Sequence, residues 1–137
     1  MGVKIQWDND EKTIMHFIYD GRWTWKEFYT KIEEANQLMD TVPHSCVSII
    51  DMQKSRYLPP GAALHISNVI RQSMSHNNSG ISVFLQADMI VQIMIDVLKE
   101  IYPDILENTE WLYAKTLEDA RKMAQEQVDK LHASAED

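Results

Sequence analysis

Strand-like and helix-like segments alternate along almost the whole of this chain, and that alternation leaves few folds open. Val3-Lys4-Ile5-Gln6-Trp7 alternates apolar and polar residues, the period of a strand. Asp8 to Lys12 is a turn, and Thr13 to Tyr19 is β-branched and aromatic before Asp20-Gly21 stops it. So short a turn pairs the two strands antiparallel. Thr24 then opens a helix. Its hydroxyl caps free N–H groups, and Glu27 completes a capping box. Trp25, Phe28, Ile32, Ala35 and Met39 step by three and four along one face until Pro43.

Cys46-Val47-Ser48-Ile49-Ile50 and Ile81 to Leu85 carry no charge, which suits strands buried on both faces, the first ended by Asp51. Between them, Pro60 sits in the first turn of a helix with Ala62, Ile66, Val69, Ile70 and Ser73 inward, followed by turn residues at 76–80. Ala87 to Tyr102 is a third helix, ended by Pro103, and Glu110 to Lys115 is the last strand. Thr116 caps a final helix with Leu117, Ala120, Ala124, Val128 and Leu131 inward, and His132 to Asp137 reads as a frayed tail. The order β-β-α-β-α-β-α-β-α predicts an α/β fold. It is one mostly parallel five-stranded sheet with an antiparallel first strand and four helices, in a single domain over residues 1–137.

Composition narrows the function classes. With 137 residues the chain can build a full core without disulfide or metal. Thirteen basic against 21 acidic residues give a net charge of −8, which argues against nucleic acid and anionic membranes as partners. No apolar run approaches the roughly 20 residues of a membrane span. One Cys makes no internal disulfide and no secretory leader is visible, so the expected location is cytoplasmic.

Several stretches together resemble one family. They are Gly21-Arg22-Trp23-Thr24-Trp25-Lys26-Glu27-Phe28, Ile49-Ile50-Asp51-Met52, Pro60-Gly61-Ala62, Tyr102-Pro103 and Ala114-Lys115-Thr116-Leu117-Glu118-Asp119-Ala120. In order and spacing they look like the SpoIIAA-like family, which shares its fold with STAS domains and with the lipid-binding half of CRAL-TRIO proteins. The resemblance implies a small α/β sandwich that binds a partner or ligand without catalysis. Antagonist STAS domains carry a phosphorylatable Ser just after the strand that ends in Asp. Here Asp51 is followed by Met52-Gln53-Lys54-Ser55-Arg56, which lacks the Asp-Ser-Ser-Gly-type pattern, so Ser55 is not expected to be an obligatory switch.

The residues themselves show little catalytic equipment. Four Gly are too few for a glycine-rich phosphate loop, and no Ser sits in a nucleophile elbow. The five His are scattered and Cys46 has no Cys partner, so no metal and no cofactor are expected. Asp51, at the carboxyl end of a parallel strand, is a ligand acceptor or else fastens its own turn. Arg56 beside Tyr57 is a fair receptor for a carboxylate or phosphate, or else an exposed Arg beside a packed Tyr. The segment from Asp51 to Pro60 is expected to be an irregular loop rimming the best concave site. Trp25 is assigned to the core, leaving Trp23 as the freer aromatic and a candidate pocket wall.

The 87–102 helix is apolar over too wide an arc. At about 100° per residue, Asp88, Gln92, Asp96, Lys99 and Glu100 fall within roughly 120°, and nine apolar residues cover the rest. A helix on one sheet needs an apolar stripe of only about 100° or somewhat more. Ile90, Met94 and Val97 are therefore candidates for self-association in a two-fold dimer. The expected function is a non-catalytic binding or regulatory module acting through protein contacts, with a small apolar or anionic ligand as a further partner. The alternative is a carrier of an apolar ligand in the manner of CRAL-TRIO proteins, for which an apolar cavity of several hundred Å³ would speak.

Overall fold

The computed structural model describes residues 2–73, 76–86, 89–106 and 109–136, without the side chains of 90, 105, 106 and 134–136. The elements are β1 (Gly2–Trp7), β2 (Ile14–Asp20), α1 (Trp25–Met39), β3 (Cys46–Lys54), α2 (Ala62–Ser73), β4 (Asn78–Leu85), α3 (Met89–Ile101), the single turn α4 (Pro103–Leu106), β5 (Glu110–Ala114) and α5 (Leu117–Glu136). The fold is α/β, with a five-stranded sheet in the order β1-β2-β3-β4-β5. β1 is antiparallel to β2, and every other pairing is parallel. The four longer helices and the mixed sheet match the expected architecture.

The strand order decides where the helices go. Every crossover advances the same way across the sheet, so right-handed connections put α1, α2 and α3 on one face. α5 follows the last strand and covers the other face. Two cores result. On the three-helix face Met15, Phe17 and Tyr19 of β2 pack with Phe28, Met39, Val69, Val91 and Ile95. On the α5 face Ile14, Val47, Ile49, Val83 and Leu85 pack with Ala120, Ala124 and Val128. Ala120 and Ala124 are fully buried. Their small side chains let one helix lie close on the sheet, which explains why two charge-free strands need only α5 on that side.

Local sequence sets the helix starts. Thr24 caps α1 by accepting from the Glu27 amide, and its hydroxyl donates to Glu27 Oε1 at 3.3 Å. Thr116 Oγ1 accepts from the Asp119 amide at the start of α5. Several boundaries differ from the sequence reading. β3 does not end at Asp51 but continues to Lys54, because Asp20 pairs with Lys54 and the Gly21 amide donates to the Lys54 carbonyl. β4 begins at Asn78, within the segment read as a turn, since Asn78 pairs with Cys46. α5 runs to Glu136 rather than fraying at His132. No Gly or Pro interrupts it there, and the His132 ring meets that of His44 at 6.1 Å. The start expected at Ala87 for α3 lies outside the described residues.

Candidate ligand cavity

Three cross-sheet rows face α1, α2 and α3. The first runs Trp7, Met15, Ser48, Ser82, Trp111 and the second Ile5, Phe17, Ile50, Phe84, Tyr113; in the third Val3 pairs with Tyr19, and Met52 shares their core beyond a shift in the β2–β3 register. In the first row two serines stand where a filled core would place large aliphatics. Above this floor lies a cavity of about 400 Å³. Phe28 and Ile32 of α1, Ile66, Val69 and Ile70 of α2, and Val91 and Met94 of α3 supply its roof. Tyr19, Trp23, Met52 and Leu58 close one end. The other end has Ser73, Asn78, Ser79 and Thr109, all half-buried, where the cavity meets solvent.

The aromatic end is tightly built. Trp23 stacks on Phe28 at 5.7 Å and meets Tyr19 at 4.9 Å and Trp25 at 5.1 Å. Burial pushes the Tyr19 phenol well above its ordinary value, so this wall stays neutral. The Trp23 indole Nε1 is buried and has no hydrogen-bond partner among the described residues. Among the described residues no Lys, Arg or His belongs to the lining.

The sequence candidates fall in different places. Trp23 lines the cavity and is only 3% exposed. Trp25, expected in the core, is half-buried instead. Its Nε1 donates to the Pro60 carbonyl at 2.7 Å and its ring stacks on His65. Trp23 thus stands in the pocket wall expected of it but is buried rather than free, because it precedes the helix and folds back onto β2, while Trp25 reaches across to α2.

Asp51 is not on the cavity face. It points to the α5 side, buried, where Oδ2 accepts from His16 Nε2 at 2.9 Å and from Gln53 Nε2, and Oδ1 accepts from the Gln53 amide. His16 Nδ1 faces Asp8 at 3.7 Å, and Arg121 of α5 forks onto Asp8. Strand alternation explains the miss: Ile50 and Met52 face the cavity, so Asp51 between them cannot.

Arg56 is exposed, and Tyr57 is half-buried under the guanidinium of Arg22, 5.1 Å above its ring, rather than that of Arg56. The irregular stretch is confined to residues 55–59, and Leu58 is its contribution to the cavity. Ser55 is buried. Its hydroxyl donates to the Gly21 carbonyl at 2.7 Å and accepts from the Tyr57 amide, so it fastens the loop to the β2–α1 turn.

On α3, Met94 faces the cavity rather than solvent. Val97 is exposed, together with Met89, Ile93 and Ile101. The Ile90 side chain lies outside the described residues. Ser48 and Ser82 were missed, although each is the one hydroxyl in its charge-free run, 46–50 or 81–85, and could have signalled a gap. Burial raises the Cys46 thiol to about 11, leaving it a poor nucleophile. Among the described residues no three His, Cys, Asp or Glu gather as metal ligands, and no helix is long and apolar enough to cross a membrane. Compared with known proteins, the chain matches no family model and no curated protein.

Proposed function

We propose that this chain is a non-catalytic binding protein of the SpoIIAA-like (STAS-type) family that takes a small apolar ligand between its sheet and its three-helix layer, in the manner of CRAL-TRIO carriers. The observation that supports it is the cavity of about 400 Å³ with its aromatic and aliphatic walls. Ligand sites usually measure about 300–1,000 Å³ and have mostly apolar linings. Cores are otherwise packed with few voids larger than a water molecule, so a space of this size is not ordinary core slack.

The test is titration with diphenylhexatriene, a neutral hydrocarbon whose fluorescence rises in apolar surroundings. Wild type should bind it with one site per chain. Ser82→Phe fills the floor and should weaken binding at least thirtyfold with an unchanged circular dichroism spectrum. Dye binding that ignores Ser82→Phe, or no binding by wild type, refutes the ligand reading.

A second reading has its own observation. Met89, Ile93, Val97 and Ile101 are 74%, 55%, 37% and 58% exposed and follow one another at i, i+4 spacing along α3. They expose on the order of 400 Å² of apolar surface, as large as the biggest patch on most monomers. A standard interface buries about 800 Å² per partner, so a second copy docked there forms a weak, two-fold pair. Light scattering should show concentration-dependent dimerisation above tens of micromolar, lost in Ile93→Lys. A wild type monomeric at several hundred micromolar refutes this reading.

A further inference from the structure

We propose that the occupant is a single-chain amphiphile lying along the strands, with its tail against the closed aromatic end and an oxygen-bearing head over Ser48 and Ser82 at the open end. This rests on the reading of the cavity as a ligand site and adds the class and direction of what fills it. Two independent observations lead there.

The first is the change of polarity from end to end. Ser48 pairs with Ser82 near the amino ends of β3 and β4. Asn78, the first residue of β4, Thr109, just before β5, and Ser73, the last of α2, line the opening on that side. Tyr19, Trp23, Met52 and Leu58 shut the other end. Met52 lies four residues beyond Ser48 on β3, about 13 Å at strand rise. A ligand polar along its whole length would strand its polar groups at the aromatic end. One with a head and a tail matches both ends.

The second is an unpaired hydroxyl within the cavity. Ser48 is 3% exposed, lines the floor and makes no side-chain hydrogen bond among the described residues. The Trp23 indole N–H is sealed in the wall, whereas the Ser48 hydroxyl is open to the cavity. Ser82, its partner on the strand about 4.8 Å away, makes no side-chain hydrogen bond among the described residues either. Asn78 Oδ1 accepts from the Gly80 amide at 2.9 Å, and its Nδ2 has no partner among the described residues. A hydrocarbon laid over Ser48 would strip its water and leave the hydroxyl unpaired, at a cost of about 1–3 kcal/mol. An oxygen placed there accepts from it instead. Because this end is open, the head keeps water on its outer side, and neutral and ionised heads both fit.

Two measurements test the proposal. In competition against diphenylhexatriene, the double variant Ser48→Ala, Ser82→Ala should weaken 1-dodecanol about tenfold, the effect of one or two hydrogen bonds, and weaken dodecane less than threefold. Direction is read by bromine, which quenches the indoles it touches. Trp23 and Trp111 are the tryptophans of the lining, at the closed and the open end. 12-Bromododecan-1-ol, brominated on the tail, should quench wild type and the variant Trp111→Phe alike. 1-Bromododecan-2-ol, brominated beside the hydroxyl, should quench wild type and lose that quenching in Trp111→Phe. Should Trp111→Phe not fold, assigned ring-proton resonances of wild type decide: the tail bromide should shift those of Trp23 and the head bromide those of Trp111.

If the dye binds while the alanine pair weakens dodecanol and dodecane equally, the head does not sit on the serines. If the tail bromide acts on Trp111 instead of Trp23, or both bromides act on both indoles alike, the direction is wrong. Either result overturns the proposal and leaves the ligand site standing. Failure of the dye itself to bind overturns the site and the proposal together.

Discussion

Asp51→Ala is expected to lower the unfolding free energy by about 3 kcal/mol, although Asp51 touches no part of the cavity. Its carboxylate accepts from His16 Nε2, from the Gln53 side chain and from the Gln53 amide, and both His16 and Asp51 are buried on the α5 face. Truncation leaves the buried imidazole without its Nε2 partner, and each buried group so stranded costs about 1–3 kcal/mol. Three hydrogen bonds to one buried carboxylate are lost together, which sets the upper end. Asp51→Asn keeps an acceptor for the Gln53 amide and should cost roughly half as much. Arg56→Ala, a change at an exposed side chain, should stay within about 0.5 kcal/mol. Urea unfolding of the three variants measures the order. A loss below about 1 kcal/mol for Asp51→Ala would show that solvent reaches the His16 imidazole and that the network holds little.

The architecture was legible because it rests on period and order. Thr24 with Glu27, and the 3.6-residue stepping of Phe28, Ala35 and Met39, need no tertiary information to mark α1. Charge-free runs flanked by helices likewise require a parallel sheet. Boundaries were less legible where long-range pairing overrides local chemistry. Asn78-Ser79-Gly80 has the composition of a turn, yet Ser79 Oγ donates to the Cys46 carbonyl and draws the segment into β4.

The site was legible only in part, for two physical reasons. Asp51 was judged by its place at a strand end, under a rule for sheets whose strand order reverses and leaves a crevice there. This sheet never reverses, so its space opens under the helix layer instead of at the strand tips. In addition, which face a residue occupies depends on strand parity, and that parity was fixed by which side carries three helices. The same geometry left α3 apolar on two sides: Val91 and Met94 face the cavity, while Met89 and Ile93 stand in solvent.

Trp23→Ala is expected to cost about 3–5 kcal/mol and Trp25→Ala only about 1–2, although the sequence pattern assigns Trp25 to the inner helical face. Trp23 is buried among Tyr19, Phe28 and Trp25, and removing a buried indole forfeits packing on every side and enlarges the cavity. Trp25 is half-buried. Its loss removes one hydrogen bond to the Pro60 carbonyl and a stack on His65, both near the surface. Small domains have about 5–15 kcal/mol in total, so Trp23→Ala should begin to unfold at low urea while Trp25→Ala keeps most of the native plateau. Equal costs, or a larger one for Trp25, would mean that Trp23 is not the end wall of the cavity.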